Sequence, residues 1–299
     1  MGLTRWRGSR AKLAAMNAST LVTDTDASST YSNYALGHTS HERNRLLRQA
    51  TILHGWTAEF FRSAGITPGM RVLDVGSGMG DVSLLAAEFG AVHVTGVDYD
   101  AALVERARAR VAEQGLNHRV DFVQSDIFKY TSEQRFDAVV GRYILPHVTD
   151  PVALLRHISG YVRPGGLIVL HEVDFGTPID TWPHAPLWTS SYALLAECFR
   201  RVGKCPDVGK RLTRIFLDAG LASPSLQGVV SVGGGSGSYL YDWLAETVRS
   251  LLPVIEKHSI ASASEIQIDT LAERLEAEAI TLGCQLIGPT QYGAWITTA

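Results

Sequence analysis

The sequence predicts an α/β protein built on a doubly wound, mostly parallel sheet of seven strands. Five short runs of β-favouring residues alternate with helical segments between residues 71 and 172, and such alternation implies crossover connections between parallel strands. Two further runs, near residues 226–232 and 285–296, complete the sheet. A glycine-rich turn comes directly after the first run, at the place where folds of this class bind nucleotide-like ligands.

The composition is that of a globular chain. Of its 299 residues, 45% are hydrophobic and 19% are charged, which is enough apolar surface to build a large core. The formal net charge of −3 offers no general attraction to nucleic acid or to an anionic membrane. The 3 cysteines form no CxxC pair, and the sequence contains no run of about 18 apolar residues. We therefore expect a cytoplasmic protein without a nucleic-acid or membrane partner.

The chain is expected to consist of two regions. Residues 1–30 combine a basic start with a run rich in serine and threonine, and this composition is typical of a mobile leader. The remaining residues, 31–299, are expected to form one domain. Its first helix is predicted over Glu42–Ala64, where apolar residues recur at helical spacing. Tyr31 and Tyr34, in front of that helix, are candidates for a lid over a ligand.

Each central strand is a short run of β-branched and aromatic residues, and each helix follows a residue that suits a helix start. The five central strands are predicted at Arg71–Val75, Val92–Val97, Val120–Gln124, Phe136–Val140 and Leu167–Glu172. The helical segments between them are predicted to begin near Gly80, near Ala101, near Ser132 as a short turn, and near Asp150.

The alternation ends after the fifth strand. Residues 173–190 form a loop rich in proline and aromatic residues, which favours the wall of a binding site over a spacer. The glycine and serine run at 233–238 is typical of a flexible hinge. Helices are predicted at Ser190–Val202, Arg211–Ala219, Tyr239–Glu256 and Glu265–Leu282, and final strands at Leu226–Val232 and Gln285–Ile296. Residues 239–283 are thus a helical insert between the last two strands, expected to cap a substrate or to contact another copy of the chain.

The most informative segment covers residues 72–81, where a buried strand leads into Gly76, Gly78 and Gly80. Glycines at such a turn allow positive φ angles and let a ligand approach the backbone closely. The dinucleotide fingerprint G-x-G-x-x-G requires a third glycine at position 81, and that residue is Asp81. The turn therefore predicts a nucleotide-like ligand that is not a dinucleotide.

The remaining pattern, D-x-G-x-G-x-G beginning at Asp74, resembles the first motif of the class I S-adenosylmethionine-dependent methyltransferases. Later landmarks match in the same order, since Asp98 and Asp126 end the second and third strands and residues 163–166, Arg-Pro-Gly-Gly, resemble the turn before the family's fifth strand. The resemblance runs from about residue 34 to residue 296. Within the family, the chain is similar to the small-molecule branch. The resemblance implies that S-adenosylmethionine is the cofactor.

The resemblance also implies a role for each position. Asp74 is expected beside the amino-acid part of the cofactor, for which the glycines make room. Asp98 suits the two ribose hydroxyls and Asp126 suits the adenine amine. Arg142, directly after the fourth strand, suits a carboxylate of the cofactor or of the substrate. The implied cofactor-binding residues are Asp74, Gly76, Ser77, Gly78, Gly80, Asp98, Tyr99, Asp126, Ile127 and Arg142.

Two side chains are candidates for the chemistry of methyl transfer, Glu172 and His147. Ligands of doubly wound folds lie at the carboxyl ends of the strands, where Glu172 ends the fifth strand and His147 follows the fourth. A base at this place helps when the acceptor arrives protonated. The structural alternatives are a capping role for Glu172 and a packed position at a helix start for His147.

No metal ion is predicted for the site. Neither His38-x-x-His41 nor the group around His171 has established zinc spacing, so a metal would be Mg²⁺ carried by an anionic substrate. The basic residues over 200–214 favour a solvated helix face, with an anion clamp for the acceptor as the alternative.

These features and the resemblance predict transfer of the methyl group of S-adenosylmethionine to a small, largely apolar metabolite, as in secondary or quinone-type metabolism. The acceptor atom is left open among oxygen, nitrogen and carbon, and one option is carbon methylation of an anionic, prenyl-type alkene. Two alternatives remain: an enzyme of the same fold that uses the cofactor for a rearrangement or cyclisation, and a non-catalytic cofactor-binding subunit. A homo-oligomer is left open, and a polynucleotide acceptor is not expected.

Overall fold

The computed structural model describes residues 53–179 and 181–299. The predicted leader at 1–30, the lid tyrosines Tyr31 and Tyr34, and the start of the first helix at Glu42 lie outside these residues. The strands are β1 (Arg71–Val75), β2 (His93–Asp98), β3 (Val120–Gln124), β4 (Phe136–Arg142), β5 (Val162–Asp174), β6 (Ser225–Gly233) and β7 (Leu286–Thr297).

The strands form one sheet in the order β3-β2-β1-β4-β5-β7-β6. Strands β1 to β5 pair in parallel, and β7 is antiparallel to both β5 and β6. The chain order reverses between β1 and β4, so the crevice of a doubly wound sheet opens above the ends of these two strands. The predicted fold class, a mostly parallel seven-stranded sheet, is confirmed.

Helices cover the sheet, and local capping explains where several of them begin. The chain is helical over 53–64 (α1), and the following helices are α2 (Asp81–Glu88), α3 (Ala101–Glu113), α4 (Pro151–Ser159), α5 (Pro186–Arg201), α6 (Leu212–Asp218), α7 (Tyr239–Lys257), α8 (Ala263–Ile266) and α9 (Leu271–Leu282). Asp100 accepts hydrogen bonds from two backbone N–H groups at the start of α3, and Asp150 accepts one, from Ala153, at the start of α4. No helix of the described ranges combines the length and apolar character needed to cross a membrane.

The core lies on both faces of the sheet. Val72 and Leu73 are fully buried neighbours on β1, and they belong to different clusters because successive strand residues point to opposite faces. One cluster packs the sheet against α2 and α3, and the other packs it against α4 and α6. A third cluster joins α5, α7 and α9 around the fully buried Trp188. The predicted helical insert thus has a core shared with α5.

One strand boundary and three helix predictions are wrong. Strand β5 begins at Val162 rather than at Leu167, so residues 163–166, predicted as the turn before it, lie within the strand. The short helical turn predicted near Ser132 is a bend, in which the Ser132 hydroxyl accepts the N–H of Gln134 at 3.2 Å. The helix predicted over residues 265–282 is interrupted at Gln267, which has a φ of 52°. Helix α5 begins four residues before Ser190, at a proline that suits a first helical turn.

Candidate cofactor and acceptor site

The glycine-rich turn has the conformation that only glycine adopts without strain. Gly76, Gly78 and Gly80 have φ angles of 67°, 52° and 81°. A Cβ added to Gly76 would lie 2.6 Å from Ile144 Cγ2, and one added to Gly80 would lie 2.7 Å from the Phe122 ring. A Cβ on Gly78 would meet nothing within 4 Å. Gly78 therefore faces open space, where a ligand can approach the backbone.

Asp98, at the end of β2, holds this turn in place. Its Oδ2 accepts the N–H of Gly78 at 2.8 Å, and its Oδ1 accepts the N–H of Asp100 at 2.9 Å. The Ser125 N–H donates to the Asp98 backbone carbonyl at 2.9 Å, which joins the ends of β2 and β3. The carboxylate predicted for the ribose is thus adjacent to the turn and to the segment containing Asp126.

Asp74 is a fully buried carboxylate beneath the turn. Its Oδ2 accepts the Ser83 hydroxyl at 2.6 Å, whereas its Oδ1 has no hydrogen-bond partner among the described residues. Burial raises the pKa of Asp74 to about 7, although the Ser83 hydrogen bond and the charge of Arg142 each lower it. The Ser77 hydroxyl is likewise buried without a partner in the described structure. Unsatisfied buried polar atoms beside an open turn fit a polar ligand such as the amino-acid part of S-adenosylmethionine.

The other predicted cofactor residues follow the neighbouring strands. Burial raises the pKa of the Tyr99 phenol, which directly follows β2. Ile127 is buried and its carbonyl accepts a hydrogen bond from His157. Arg142 ends β4, where its Nη1 lies 3.4 Å from Thr57 Oγ1 and its Nη2 lies 3.9 Å from Asp81 Oδ2. The structure brings all of these positions to the carboxyl ends of the parallel strands.

Glu172 is fully buried near the end of β5. Its Oε1 accepts the backbone N–H groups of Ile144 and Leu145, both at 3.2 Å. Its Oε2 is enclosed and has no hydrogen-bond partner among the described residues. Burial raises the pKa of Glu172 to about 8, although the two N–H groups favour the charged form. The role of Glu172 as a base stays a prediction, and its contacts are those of a cap.

His147 closes the short 3-10 turn Leu145–His147 that follows β4. Its ring lies against the ring of Phe199 on α5, with centroids 5.5 Å apart. The catalytic role of His147 also stays a prediction.

A buried hydrogen-bond network that the sequence analysis missed joins α1, β5 and β7. The Thr57 hydroxyl lies 2.9 Å from His171 Nδ1, and His171 Nε2 lies 3.1 Å from Gln291 Oε1, which also accepts the Tyr143 hydroxyl. The Gln291 amide nitrogen donates to the Pro289 carbonyl at 3.2 Å, and this contact orients the amide. The Gln291 oxygen only accepts, so a neutral His171 carries its proton on Nε2. The single hydroxyl proton of Thr57 is shared by two acceptors, His171 Nδ1 and the Leu53 carbonyl at 3.0 Å.

Burial, assisted by the charge of Arg142, lowers the pKa of His171 to about 3. The ring is therefore neutral at physiological pH. Thr57 and Gln291 are 114 and 120 residues away from His171 along the chain, so no local motif indicates the network.

A narrow, partly open cleft lies beside this network. Aromatic and aliphatic side chains dominate it, and none of the lining residues in the described ranges carries a charge. The carboxyl end of β4, helices α1 and α7, and the last two strands all contribute to it. The lining residues are Leu53, Trp56, Tyr143, Ser231, Tyr239, Leu240, Trp243, Pro289 and Gln291.

The cleft contains side chains from only one of the two segments expected to form the pocket, and the binding role of that segment stays a prediction. Tyr239, Leu240 and Trp243 come from the helical insert, as expected. The loop after β5 does not line it, because Phe175 and Trp188 are buried in the core with α5 and α7. The two tryptophans of the cleft, Trp56 and Trp243, are visible in the sequence, but nothing local to them shows that they meet.

A family model described as a methyltransferase domain matches residues 66–220, which is more than half of the chain. Phosphoethanolamine N-methyltransferase 1 of Arabidopsis thaliana is 32% identical over 117 residues, which cover 39% of this chain and 23% of that protein. The ubiquinone/menaquinone biosynthesis C-methyltransferase of Coxiella burnetii is 26% identical over 185 residues, which cover 60% of this chain and 71% of that protein. The chain thus spans less than a quarter of the length of the Arabidopsis protein.

Among solved structures, a [4+2]-cyclase has the same fold, with a TM-score of 0.51 and 20% identity over 82% of this chain and 81% of that chain. The matched family region contains β1 to β5, the glycine-rich turn and α6. The chain belongs to the methyltransferase-domain family, within the class I S-adenosylmethionine-dependent methyltransferases.

Proposed function

We propose that the protein transfers the methyl group of S-adenosylmethionine to a small, largely apolar acceptor bound in the cleft. The observation that carries this proposal is the position of two consecutive residues after β4. Ile144 contacts the glycine-rich turn, and Tyr143 lines the cleft. A cofactor on the turn and an acceptor in the cleft would therefore meet at one loop.

S-adenosylmethionine is the cofactor of this family and supplies an activated methyl group on a sulfonium. Asp74 and Ser77 offer buried polar atoms to its amino-acid part, and Asp98 offers a carboxylate to its ribose. Asp126 and Ile127 follow β3 and suit the adenine end. Arg142, beside Asp74 and Asp81, suits a carboxylate.

The cleft favours a neutral acceptor. None of the described residues that line it carries a charge, and its polar lining residues are Tyr143, Ser231 and Gln291. Five of the six basic residues over 200–214 do not favour an anion clamp, because they pair with acidic residues three or four positions away. These pairs are Arg200 and Arg201 with Glu197, Lys210 and Arg211 with Asp207, and Arg214 with Asp218. The sixth, Lys204, is buried, and burial lowers its pKa. An anionic, prenyl-type acceptor is therefore less favoured than a neutral one.

Methyl transfer requires mainly that the acceptor atom lies in line with the methyl group and that water is excluded. A network with fixed donors and acceptors at the base of an apolar cleft can orient a small molecule in this way. A base is needed only for an acceptor that must lose a proton, and His147 and Glu172 are the candidates that the sequence analysis named. The named relatives include an N- and a C-methyltransferase, so the methylated atom is left to product analysis.

We place the reaction in the cytoplasm, because all three cysteines are free and no disulfide framework is expected. The partner in this proposal is the acceptor molecule itself, and an association between copies of the chain is left to measurements of mass in solution.

Cell extract incubated with the protein and methyl-labelled S-adenosylmethionine tests the proposal by mass spectrometry. The expected result is a labelled small molecule together with an equal amount of S-adenosylhomocysteine. The [4+2]-cyclase shares the fold, so a product formed without S-adenosylhomocysteine would support a cofactor-assisted cyclisation or rearrangement instead. Cofactor binding without any product, together with stable association with another chain, would support a non-catalytic subunit.

A further inference from the structure

The loop after β4 is anchored to β5 by one carboxylate. Glu172 Oε1 accepts the N–H groups of two successive residues, Ile144 and Leu145. These N–H groups stand at the start of a 3-10 turn, where no backbone carbonyl is available to them. A buried carboxylate at this place satisfies both donors with a single oxygen.

The loop needs an anchor because its backbone is strained. Tyr143 has a φ of 58°, in the left-handed region that a bulky residue rarely adopts. Its N–H still pairs with the His171 carbonyl at 2.8 Å, as a continuation of β4. The chain then turns sharply, and the next two N–H groups meet Glu172. Strain of this kind persists only where the surrounding contacts hold it.

The anchored loop also reaches the cofactor turn. The Ile144 side chain occupies the space beside two glycines, since a Cβ on Gly76 would lie 2.6 Å from its Cγ2 and one on Gly141 would lie 2.8 Å from its Cδ1. Ile144 is buried, with 8% of its surface exposed. A shift of the loop would therefore move a side chain that packs directly against the turn.

We propose that Glu172 is a positioning residue that holds the loop after β4, so that Ile144 stays packed on the glycine-rich turn and Tyr143 stays in the cleft. This inference rests on the proposed function in one respect, namely that the turn binds S-adenosylmethionine. The sequence predicts that Glu172 acts as a base, whereas this inference assigns it the role of an anchor that acts through the loop.

The geometry separates an anchor from a base. A general base must come within hydrogen-bond reach of the proton that it removes. Glu172 has no exposed surface and is not among the residues that line the cleft. Its Oε1 is already engaged by the loop, and its Oε2 is enclosed. The carboxyl group therefore contacts the loop and is separated from the space where an acceptor fits.

Two substitutions of Glu172 distinguish the roles, with binding of S-adenosylhomocysteine measured by calorimetry. Glu172→Gln keeps an oxygen that can accept both N–H groups, and its dissociation constant should stay within about threefold of the wild type. Glu172→Leu keeps much of the volume but removes the acceptor, and binding should weaken by about tenfold or more. A base would leave cofactor affinity unchanged in both variants, so equal affinity of Glu172→Leu and the wild type would overturn the proposal.

Amide hydrogen exchange reads the anchor directly. The Ile144 and Leu145 amides should exchange slowly in the wild type and in Glu172→Gln, and at least about tenfold faster in Glu172→Leu. Amides inside β4, such as that of Val140, should keep their protection. Unchanged protection of Ile144 and Leu145 in Glu172→Leu would contradict the anchor without reference to any ligand.

Asp174 offers a matched control on the same strand. It is also buried, and its carboxylate caps the next loop by accepting the N–H groups of Gly176 and Thr177 at 2.7 Å and 3.0 Å. Asp174→Ala removes a comparable cap from a segment that does not touch the glycine-rich turn. This variant should lower the melting temperature but leave S-adenosylhomocysteine affinity within about threefold. If Asp174→Ala lost as much affinity as Glu172→Leu, the weaker binding of both variants would be due to general destabilisation, and the proposal would be overturned.

Ile144→Ala keeps the inference testable if Glu172→Leu does not fold. This variant retains both N–H groups and removes only the packing against Gly76 and Gly141, so it should weaken S-adenosylhomocysteine binding about threefold to tenfold. Wild-type affinity of Ile144→Ala would break the link between the loop and the turn. If the wild type itself does not bind S-adenosylhomocysteine, the proposed function fails, and the exchange measurement still decides whether Glu172 anchors the loop.

Discussion

The two halves of the site are built in different ways. The cofactor half, formed by the ends of β1, β2 and β3, consists largely of backbone: the positive φ angles of Gly76 and Gly78 and an N–H held by Asp98. The acceptor half, formed by the ends of β4, β5 and β7 with α1 and α7, consists of side chains. Thr57, His171 and their partners meet there from distant parts of the sequence.

This difference shows which kind of recognition each half can provide. Backbone groups bind the cofactor, which all members of the family share, and only a few glycine and aspartate positions are required to place these groups. Side chains that converge in an apolar cleft can change one at a time, and each change alters which acceptor fits. We therefore expect substitutions in the cofactor half to weaken binding of the donor most, and substitutions of side chains that line the cleft, outside the loop held by Glu172, to leave it intact.

The largest effect is expected for Gly78→Val. The residue has a φ of 52°, and a side chain there would project into the open space above the turn. A branched side chain adds backbone strain and blocks the approach of a ligand, so S-adenosylhomocysteine binding should weaken by at least about 1000-fold in calorimetric titration.

Gly115→Val is the control for the backbone strain alone. Gly115 follows α3 with a φ of 69°, and a Cβ there also meets nothing within 4 Å. Both variants should lose similar stability, but Gly115→Val should bind the cofactor normally. Tight binding by Gly78→Val would remove the turn from the cofactor site.

The next effect is a pH dependence of stability that originates in the acceptor half. Burial raises the pKa of Glu172 from 4.5 to about 8, so between these values the folded protein keeps a proton that the unfolded chain releases. The contribution of Glu172 to stability is therefore complete below about pH 4.5 and is lost as the pH rises through 8. The wild type should lose up to about 3 kcal/mol of unfolding free energy from this group between pH 5 and pH 8.

Glu172→Gln removes this titration while keeping the shape of the side chain. Its unfolding free energy, measured in urea at pH 5 and pH 8, should fall less steeply than that of the wild type. Asp74 contributes in the same direction in both proteins, since burial raises its pKa from 3.8 to about 7. Equal pH dependence of the two proteins would show that Glu172 is not protonated in the folded state.

A smaller loss is expected for Asp98→Ala, in the cofactor half. The change removes the acceptor for the Gly78 N–H and the carboxylate predicted for the ribose hydroxyls. Charge-assisted hydrogen bonds contribute about 1.5 to 3 kcal/mol, so S-adenosylhomocysteine binding should weaken about 10- to 100-fold. Asp100→Ala, which removes only the cap of α3, should leave the affinity nearly unchanged. Equal affinities of Asp98→Ala and the wild type would exclude Asp98 from the site.

The same division explains what the sequence could predict. Strands β1 and β3 have the predicted bounds, and Asp74, Gly78 and Asp98 reach one edge of the sheet, because glycine turns and strand periodicity are local properties. The cleft could not be predicted in this way. Its walls come from Leu53 to Gln291, and only the folded chain brings such distant side chains together.

Glu172 shows the limit most clearly. Its position at the end of β5 is readable from the sequence, and a carboxylate at a strand end near the acceptor is a reasonable base. Its partners are backbone N–H groups in another segment, 28 and 27 residues earlier in the chain. No property of the fifth strand alone indicates that the loop after β4 turns back onto it, since that turn depends on the left-handed conformation of Tyr143.

The smallest effect on cofactor affinity is expected for Gln291→Leu in the acceptor half, and this variant tests the division most sharply. The amide oxygen of Gln291 accepts hydrogen bonds from His171 Nε2 at 3.1 Å and from the Tyr143 hydroxyl. A leucine leaves the buried His171 donor unsatisfied, which should lower the unfolding free energy in urea by about 1 to 3 kcal/mol. S-adenosylhomocysteine affinity should stay within about twofold, because no atom of Gln291 belongs to the cofactor half. Gln291→Glu is the matched control, since it keeps an acceptor for His171 while it adds an ionisable group at the base of an uncharged cleft. A loss of cofactor affinity as large as that of Asp98→Ala would show that the two halves act as one unit.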